Sequence, residues 1–336
     1  MDQKVRVGFI GAGNHASWTL YPCFQHFEDV TLTCVCDLDE DKARKVGRAF
    51  GAESFYSDYR KMLDKEDIDA LFCCGNSKLH AMVIKEAIGR GIPLFVEKPP
   101  ATTAAEMKVL AEEADSRGAT LMVAFMHRFA PITVWAQKVM ADEQFGRTMM
   151  IYAREGIWGC PGKSMVRDSA IHHIDLLRHL GGDIKWVQAA GCSDGDRRNA
   201  YAVSLMFANG ILGQMSLNTM EAFSYPNDAI EIHGDQGGYL RLDNWVKATW
   251  HRDSGNMWST PDDHRAGSLT YEHGWTAAGT NRSTKMQGYV DEFAHFFECL
   301  KTGKKPSPDY WDGYRALQVV EAIIESSETE SRVIIE

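Results

Sequence analysis

The first 125 residues alternate short apolar runs with longer runs rich in charged residues and alanine. Helix-like runs lie at Glu40–Phe50, Leu79–Gly89 and Ala104–Arg117. Strand-like apolar runs lie at Val5–Ile10, Val30–Cys36, Ala70–Cys74, Ile92–Val96 and Leu121–Phe125. Strands that alternate with helices pair in parallel through right-handed crossovers. The pattern therefore predicts an α/β fold built on a doubly wound parallel sheet.

Beyond about residue 125 apolar and polar residues alternate one by one, as in strands with one buried face. Asn209-Gly210 is a strong hairpin signal, and Gly234–Gly238 marks a second turn. The strands predicted around these turns are Met149–Glu155, Tyr201–Phe207, Ile211–Leu217, Ala229–His233 and Tyr239–Leu242. This part is therefore predicted to form a mostly antiparallel sheet.

Helices accompany the second sheet. One is predicted over about Ile132–Met140, and two more over Gly288–Lys301 and Gly313–Ser326, before a last strand at Arg332–Ile335. The polar stretch Arg252–Met286 shows no periodicity, which is typical of a long loop near a site or an interface.

The length of 336 residues suggests two domains, and the change of pattern places them at residues 1–125 and 126–336. The net charge of −10, without a Lys/Arg cluster, argues against nucleic acid and membrane as partners. No run is long enough to span a membrane, and we expect no secretory signal. The eight cysteines form no CxxC pair, which favours a reducing cytoplasm and no structural zinc.

A glycine turn follows the first predicted strand. Gly11 allows a tight turn and Gly13 lets the backbone approach a pyrophosphate. Asn14 and His15 continue the motif, and the phosphates would sit on the N-terminus of the helix that follows. Asp37 ends the second strand, where a carboxylate bonds the adenosine ribose and repels a 2′-phosphate. The pattern predicts a Rossmann domain that binds NAD, with NADP as the alternative. A glycine turn in a nucleotide-free α/β domain would look the same.

Glu97-Lys98-Pro99-Pro100 stands at the end of the fourth predicted strand. Ligands of open α/β sheets bind at the carboxyl ends of strands, where Lys98 could hydrogen-bond a substrate hydroxyl. A solvated lysine before a proline turn is the alternative interpretation.

A stripe of acidic residues and histidines follows in the second part. On a helix Asp168, His172, Asp175 and His179 would share one face, with Asp168 orienting His172 for proton transfer. A metal site is a poorer interpretation, since no further ligand at suitable spacing is evident. A helix with partly exposed histidines is the alternative.

Together these segments resemble the glucose-fructose oxidoreductase / inositol dehydrogenase / MocA (Gfo/Idh/MocA) family over nearly the whole chain. The resemblance rests on Gly8 to Gly13, Asp67 to Ala70, Gly91 to Pro99, Arg128 to Pro131, Asp168 to Asp175, and two C-terminal helices. It implies a Rossmann domain, a second α/β domain with an open sheet often used for oligomerisation, and a homodimer or homotetramer.

The resemblance also implies roles for single residues. Lys98, often followed by a cis bond to proline, and His172 become the catalytic pair, with Asp168 as a substrate or histidine contact. The residues expected near the cofactor are Gly11, Gly13, Asn14, His15, Asp37, Gly75, Asn76, His80, Glu97 and Lys98. Those expected near the substrate are Lys98, Arg128, Trp158, Arg167, Asp168, His172 and His173.

The chain departs from the family pattern at several points. Gly75-Asn76-Ser77 replaces a Thr-Pro-Asn loop, and Ala170 replaces a glycine between Asp168 and the histidine. His173 is an additional histidine that could exchange roles with His172. The aromatic Trp158 and the cations Lys163 and Arg167 would suit a sugar ring with an acidic group, or they could lie in a surface loop.

These observations lead to three functional hypotheses. The first is an NAD(P)-dependent oxidoreductase acting on a secondary alcohol of a sugar, an inositol or a sugar derivative. The second is a nucleotide-binding regulator without turnover, against which intact Lys98 and His172 argue. The third is a lyase or hydrolase that retains NAD.

Overall fold

The computed structural model describes residues 4–160, 162–195, 198–222, 227–252, 267–272 and 283–336. The chain divides into two compact units, Met1–Phe125 with Tyr289–Leu317 and Met126–Gly288 with Gln318–Glu336. None of the described helices is both long enough and apolar enough to cross a membrane.

The first unit is built on a parallel sheet, as predicted. Its described strands are β1 (Val5–Ile10), β2 (Val30–Cys36), β3 (Ser54–Tyr56), β4 (Ala70–Cys73), β5 (Leu94–Val96) and β6 (Leu121–Val123), in the order β3-β2-β1-β4-β5-β6. The order reverses between β1 and β4, and ligands of such sheets bind at the carboxyl ends of the strands beside that point.

Helices connect the strands of the first unit. A helical segment of Ala16–Leu20, α1 (Tyr21–Cys23) and Phe24–His26 follows β1; the others are α2 (Glu40–Ala49), α3 (Tyr59–Lys65), α4 (Ser77–Arg90) and α5 (Ala104–Ser116). Acceptor side chains cap α2 to α5, since Asp39, Asp58, Asn76 and Thr103 each accept a hydrogen bond from a backbone N–H of the first turn.

The second unit carries a mixed sheet. Its described strands are β7 (Thr148–Gly156), β8 (Ile184–Ser193), β9 (Asn199–Phe207), β10 (Leu212–Asn218), β11 (Asp228–Gly234), β12 (Tyr239–Asp243), β13 (Lys247–Arg252), β14 (Gly267–Glu272) and β15 (Val333–Ile334). The order is β14-β13-β12-β11-β7-β10-β9-β8-β15, antiparallel except between β7 and β10. Its helices include α6 (Pro131–Met140), α7 (Ile171–Gly181) and α8 (Ser283–Met286). Both predicted hairpins, β9–β10 and β11–β12, are confirmed.

One prediction was wrong in part. The stretch 252–286 was expected to be a loop, but it contains β14 and α8, while residues 253–266 and 273–282 lie outside the described residues. The side chains of β14 are mostly exposed, so its sequence carries no alternation of apolar and polar residues that could reveal a strand.

The last two helices are α9 (Tyr289–Thr302) and α10 (Tyr310–Thr329). The prediction placed everything after residue 125 in the second domain, whereas residues 289–317 group with the first unit. The physical reason is aromatic packing, because the ring of Phe293 lies 4.9 Å from that of Phe72 and 5.0 Å from that of Phe95. The division of function between residues 1–125 and 126–336 stays a prediction.

Phe293 is fully buried, and we expect Phe293→Ala to lower the free energy of unfolding by about 3–5 kcal/mol, because a large cavity remains in a packed core. Urea unfolding measures this. The matched control is Val109→Ala, at a residue of the same unit that is 64% exposed, which should change stability by less than about 0.5 kcal/mol. Equal effects of the two substitutions would contradict the role of the aromatic cluster.

Candidate active site

The glycine turn after β1 is closely packed at Gly11 and open at Gly13. Gly11 has φ +111°, and a Cβ there would lie 2.0 Å from the carbonyl oxygen of Cys74. The Tyr21 hydroxyl donates a 2.9 Å hydrogen bond to the Gly11 carbonyl. A Cβ at Gly13 would meet nothing within 4 Å among the described residues. The turn is buried at Gly11 and exposed from Gly13 to His15, and this exposed part fits the close approach of a dinucleotide pyrophosphate.

Asp37 follows β2 and is half-buried. One carboxylate oxygen accepts a 2.8 Å hydrogen bond from the backbone N–H of Ala12, and the other accepts one of 3.0 Å from that of Asp39. Each carboxylate oxygen has two lone pairs, so both can accept further hydrogen bonds from ribose hydroxyls. Asp37 thus shapes the glycine turn in addition to its predicted role, a connection that the sequence did not indicate.

Glu97, which follows β5, is a buried carboxylate that contacts both His15 and Lys98. Its Oε1 lies 3.3 Å from His15 Nε2, and its Oε2 accepts a 3.1 Å hydrogen bond from the backbone N–H of Lys98. Burial alone would raise the pKa of Glu97, but the hydrogen bond with His15 and the nearby positive charges outweigh it and lower the pKa. Lys98 is half-buried, and the Lys98–Pro99 peptide bond is cis.

His80 joins the loop after β4 to the loop after β5. Its Nε2 accepts a 2.8 Å hydrogen bond from the backbone N–H of Gly75, so its Nδ1 carries the proton donated to the Pro99 carbonyl at 2.8 Å. Burial, the largest effect, lowers the pKa of His80, in keeping with a neutral ring. His80 is fully buried, whereas Gly75 and Asn76 are exposed.

In the second unit the predicted Asp/His face is interrupted. Residues Met165–Ser169 form a wider turn in which the Ala170 N–H bonds the Met165 carbonyl, and α7 begins only at Ile171. The prediction of one continuous α-helical face was therefore wrong for Asp168, because the wide turn changes the angular step between residues. Asp168 is exposed and His172 is half-buried.

His173 is 1% exposed and lies between two carboxylates. Its Nδ1 is 3.2 Å from Glu155 Oε2, and its Nε2 is 3.3 Å from Asp228 Oδ1. Burial alone would lower the pKa of His173, but the two carboxylates outweigh it and raise the pKa to about 10. A buried ring that stays protonated near neutral pH is a poor general base. The surroundings of His173 therefore fit a lasting positive charge rather than proton transfer.

The other predicted substrate residues lie in different surroundings. Arg128 is buried, and its guanidinium makes a two-pronged pair with Asp175, at 2.7 and 2.5 Å. Arg167 is half-buried, and Trp158 is 64% exposed. His179, at the far end of the predicted stripe, contacts Gln137 at 2.9 Å.

Comparison with known proteins identifies the family. The family model described as "Oxidoreductase family, NAD-binding Rossmann fold" matches residues 5–125, and its partner, "Oxidoreductase family, C-terminal alpha/beta domain", matches residues 161–335. The chain belongs to the Gfo/Idh/MocA oxidoreductase family. Both the resemblance seen in the sequence and the predicted NAD-binding fold are thereby confirmed.

Relatives from this family match along almost their whole length. Levoglucosan dehydrogenase of Pseudarthrobacter phenanthrenivorans is 24% identical to this chain, in an alignment that covers 98% of each protein. Inositol 2-dehydrogenase of Rubrobacter xylanophilus is 25% identical and covers 97% of this chain and 91% of its own.

Solved structures show the same fold. A dehydrogenase from Chromobacterium violaceum superimposes with a TM-score of 0.86 at 21% identity, over 98% of this chain and 96% of its own. Levoglucosan dehydrogenase in complex with NADH and L-sorbose superimposes with a TM-score of 0.85 at 23% identity, over 99% of each chain.

Sequence reasoning missed two functional candidates in this family member, Glu155 and Asp228. Each stands at an end of a strand, Glu155 near the end of β7 and Asp228 at the start of β11. The sequence did offer one signal: Glu155 places a carboxylate at a position of β7 where the alternating pattern predicts burial. A buried charge requires a partner.

The charge of His173 makes stability depend on pH. The folded pKa of about 10 exceeds the unfolded value of about 6.5. The stabilisation is therefore complete below about pH 6.5 and is lost as the pH rises towards 10. The difference in free energy of unfolding between wild type and His173→Gln, from urea titrations, should be larger at about pH 6 than at about pH 10. An equal difference at both pH values would mean that His173 is neutral in the folded protein.

Proposed function

We propose that this protein is an NAD-dependent dehydrogenase or reductase that acts on a secondary alcohol or ketone of a sugar, an inositol or a sugar derivative. The observation that carries the proposal is the segment Glu97–Lys98–Pro99, fixed at the carboxyl edge of the sheet two strands from an open glycine turn. Relatives named levoglucosan and inositol 2-dehydrogenase support the substrate class.

The residues that would hold the dinucleotide all follow strands of the parallel sheet. They are Gly11, Gly13, Asn14 and His15 after β1, Asp37 after β2, and Gly75 and Asn76 after β4. Once bound, NAD accepts or supplies the hydride, and the protein supplies position and proton handling. Glu97 and His80 stabilise this edge of the sheet: Glu97 contacts His15 and the backbone of Lys98, and His80 bonds the loop at Gly75.

In this proposal Lys98 and His172 are the catalytic residues, and each has a separate role. The Lys98 ammonium donates a hydrogen bond to the substrate oxygen, which orients the carbon that carries the hydride. His172 takes the hydroxyl proton during oxidation and returns it during reduction. Asp168, which is exposed, contacts the substrate or His172, and Trp158 and Arg167 contribute on the substrate side. Arg128 acts indirectly, by neutralising buried Asp175.

Two further properties belong to the proposal. A homodimer or homotetramer is part of the proposal, because the family's open second sheet is often used for oligomerisation. The eight cysteines are all free thiols, which supports a reducing cytoplasm.

The proposal is tested by assaying purified protein with NAD and NADP against sugars, inositols and uronic acids. Net reduction of the nicotinamide with one of these alcohols supports it. Conversion of such a substrate without net reduction would show a lyase or hydrolase, and binding of NAD with no conversion would show a regulator.

We expect Lys98→Ala and His172→Ala each to lower kcat by about 10²–10⁴-fold, because each removes a group that acts on the reacting hydroxyl. The dissociation constant of NAD, from calorimetry, should stay nearly unchanged. Lys108→Ala, at an exposed lysine of α5, is the matched control and should retain wild-type kcat. Wild-type activity in both test variants would contradict the assignment.

Asp37→Ala should weaken NAD relative to NADP by about 10- to 100-fold, since a hydrogen bond to a charged group contributes about 1.5–3 kcal/mol. Both cofactors should also weaken together, because Asp37 holds the Ala12 N–H of the glycine turn. The ratio of the two dissociation constants isolates the ribose contact. Asp41→Ala, on the exposed side of α2, should leave the ratio unchanged, and an unchanged ratio in Asp37→Ala would show that Asp37 does not bind the ribose.

A further inference from the structure

Two carboxylates face each other across neighbouring strands in the second unit. Glu155 of β7 and Asp228 of β11 are direct partners in the antiparallel register. Glu155 is 7% exposed, and the side chain of Asp228 is 20% exposed. Like charges at directly opposed positions destabilise a sheet, and more so when they are buried. The pair therefore requires a positive charge between its members.

His173 supplies that charge. Each of its ring nitrogens approaches a different carboxylate, at 3.2 Å and 3.3 Å, as a ring with a proton on both nitrogens requires. The three residues also satisfy the spacing of metal ligands, since one ligand atom from each lies within 4.8 Å of the others. A metal, however, binds a deprotonated nitrogen and gathers its ligands around one point. Carboxylates on both sides of the ring fit a protonated imidazole better.

One arm of this cluster leads to Asp168. The Ser169 hydroxyl donates a hydrogen bond to Glu155 Oε1. Ser169 is the last residue of the wide turn before α7 and the chain neighbour of Asp168. Glu155 therefore fixes Ser169, and with it the backbone next to Asp168.

A second arm leads to His172. Trp245 donates a 3.3 Å hydrogen bond from its indole nitrogen to Asp228 and stacks on His127, with ring centroids 3.5 Å apart. His127 in turn meets the ring of His172 edge-on, at 5.1 Å. Trp245 has φ +62° and lies with Asn244 in the turn between β12 and β13.

We propose that Glu155, His173 and Asp228 form a buried charge bridge that positions Asp168 through Ser169 and His172 through Trp245 and His127. This inference rests on the proposed function, because it assigns positioning residues to that reaction. The bridge itself touches no substrate.

The charge of the bridge is tested by NMR of protein with ¹⁵N-labelled histidine, at about pH 8, where unperturbed histidines are neutral. Wild type should show a ring with both nitrogens protonated, and His173→Gln should lack that signal. A neutral His173 ring, or a tightly bound stoichiometric divalent metal in elemental analysis of the purified protein, would overturn the bridge.

The positioning role is tested with Glu155→Gln, Asp228→Asn and Ser169→Ala, the last of which breaks one arm and leaves the charges intact. We expect kcat to fall by about 10- to 100-fold, with NAD affinity unchanged and with a shift of the His172 ring signals in Asp228→Asn. Glu231→Gln, which removes another carboxylate of β11 paired with Arg241, is the control and should retain wild-type kcat.

Wild-type kcat and unshifted His172 signals in folded variants would overturn the positioning role. If Glu155→Gln does not fold, Ser169→Ala decides that arm. The NMR readouts require no turnover. The two proposals can therefore fail separately. If the wild-type protein lacks dehydrogenase activity, the proposed function is refuted. If His173 is nevertheless doubly protonated and the His172 signals change in the variants, the charge bridge is supported.

Discussion

The close approach of Gly11 to the Cys74 carbonyl is the constraint on which the cofactor edge depends. Any side chain at residue 11 would place its Cβ 2.0 Å from that oxygen, so the loops after β1 and β4 can meet only through a glycine. Asp37 and Tyr21 then fix the turn from either side. One backbone contact thus brings the ends of three neighbouring strands to the place where a sheet of this order binds its ligand.

Buried charge governs the second unit in a comparable way. A buried ion costs several kcal/mol unless a partner and hydrogen bonds offset the loss of water. Near α7 the structure meets this requirement with the pair of Arg128 and Asp175, and also with His173 between Glu155 and Asp228. Both arrangements join α7 to other parts of the unit, so the helix that carries His172 is held by charges that cannot easily be rearranged.

The sequence predicted those parts of the molecule that depend on local pattern. The strands β1, β2 and β9 are apolar or alternating, and Gly11 and Asp37 follow their strands at characteristic spacing. It failed where structure depends on distant partners. β3 is short and half-buried, and β14 is an edge strand, so neither carries a strong pattern. The packing of α9 on Phe72 depends on rings more than 200 residues apart, which no local pattern reveals.

The choice between His172 and His173 shows what the sequence could not supply. Successive helical residues point about 100° apart, so adjacent histidines on α7 must face different surroundings, although their chemistry is identical. The pattern could not say which one faces inward, because the buried face contains charged groups as well as apolar ones. The carboxylates of Glu155 and Asp228 come from two strands far apart in the chain, and they hold the ring of His173 in its charged form. We propose His172, half-buried at the start of the same helix, as the histidine that exchanges a proton in the reaction.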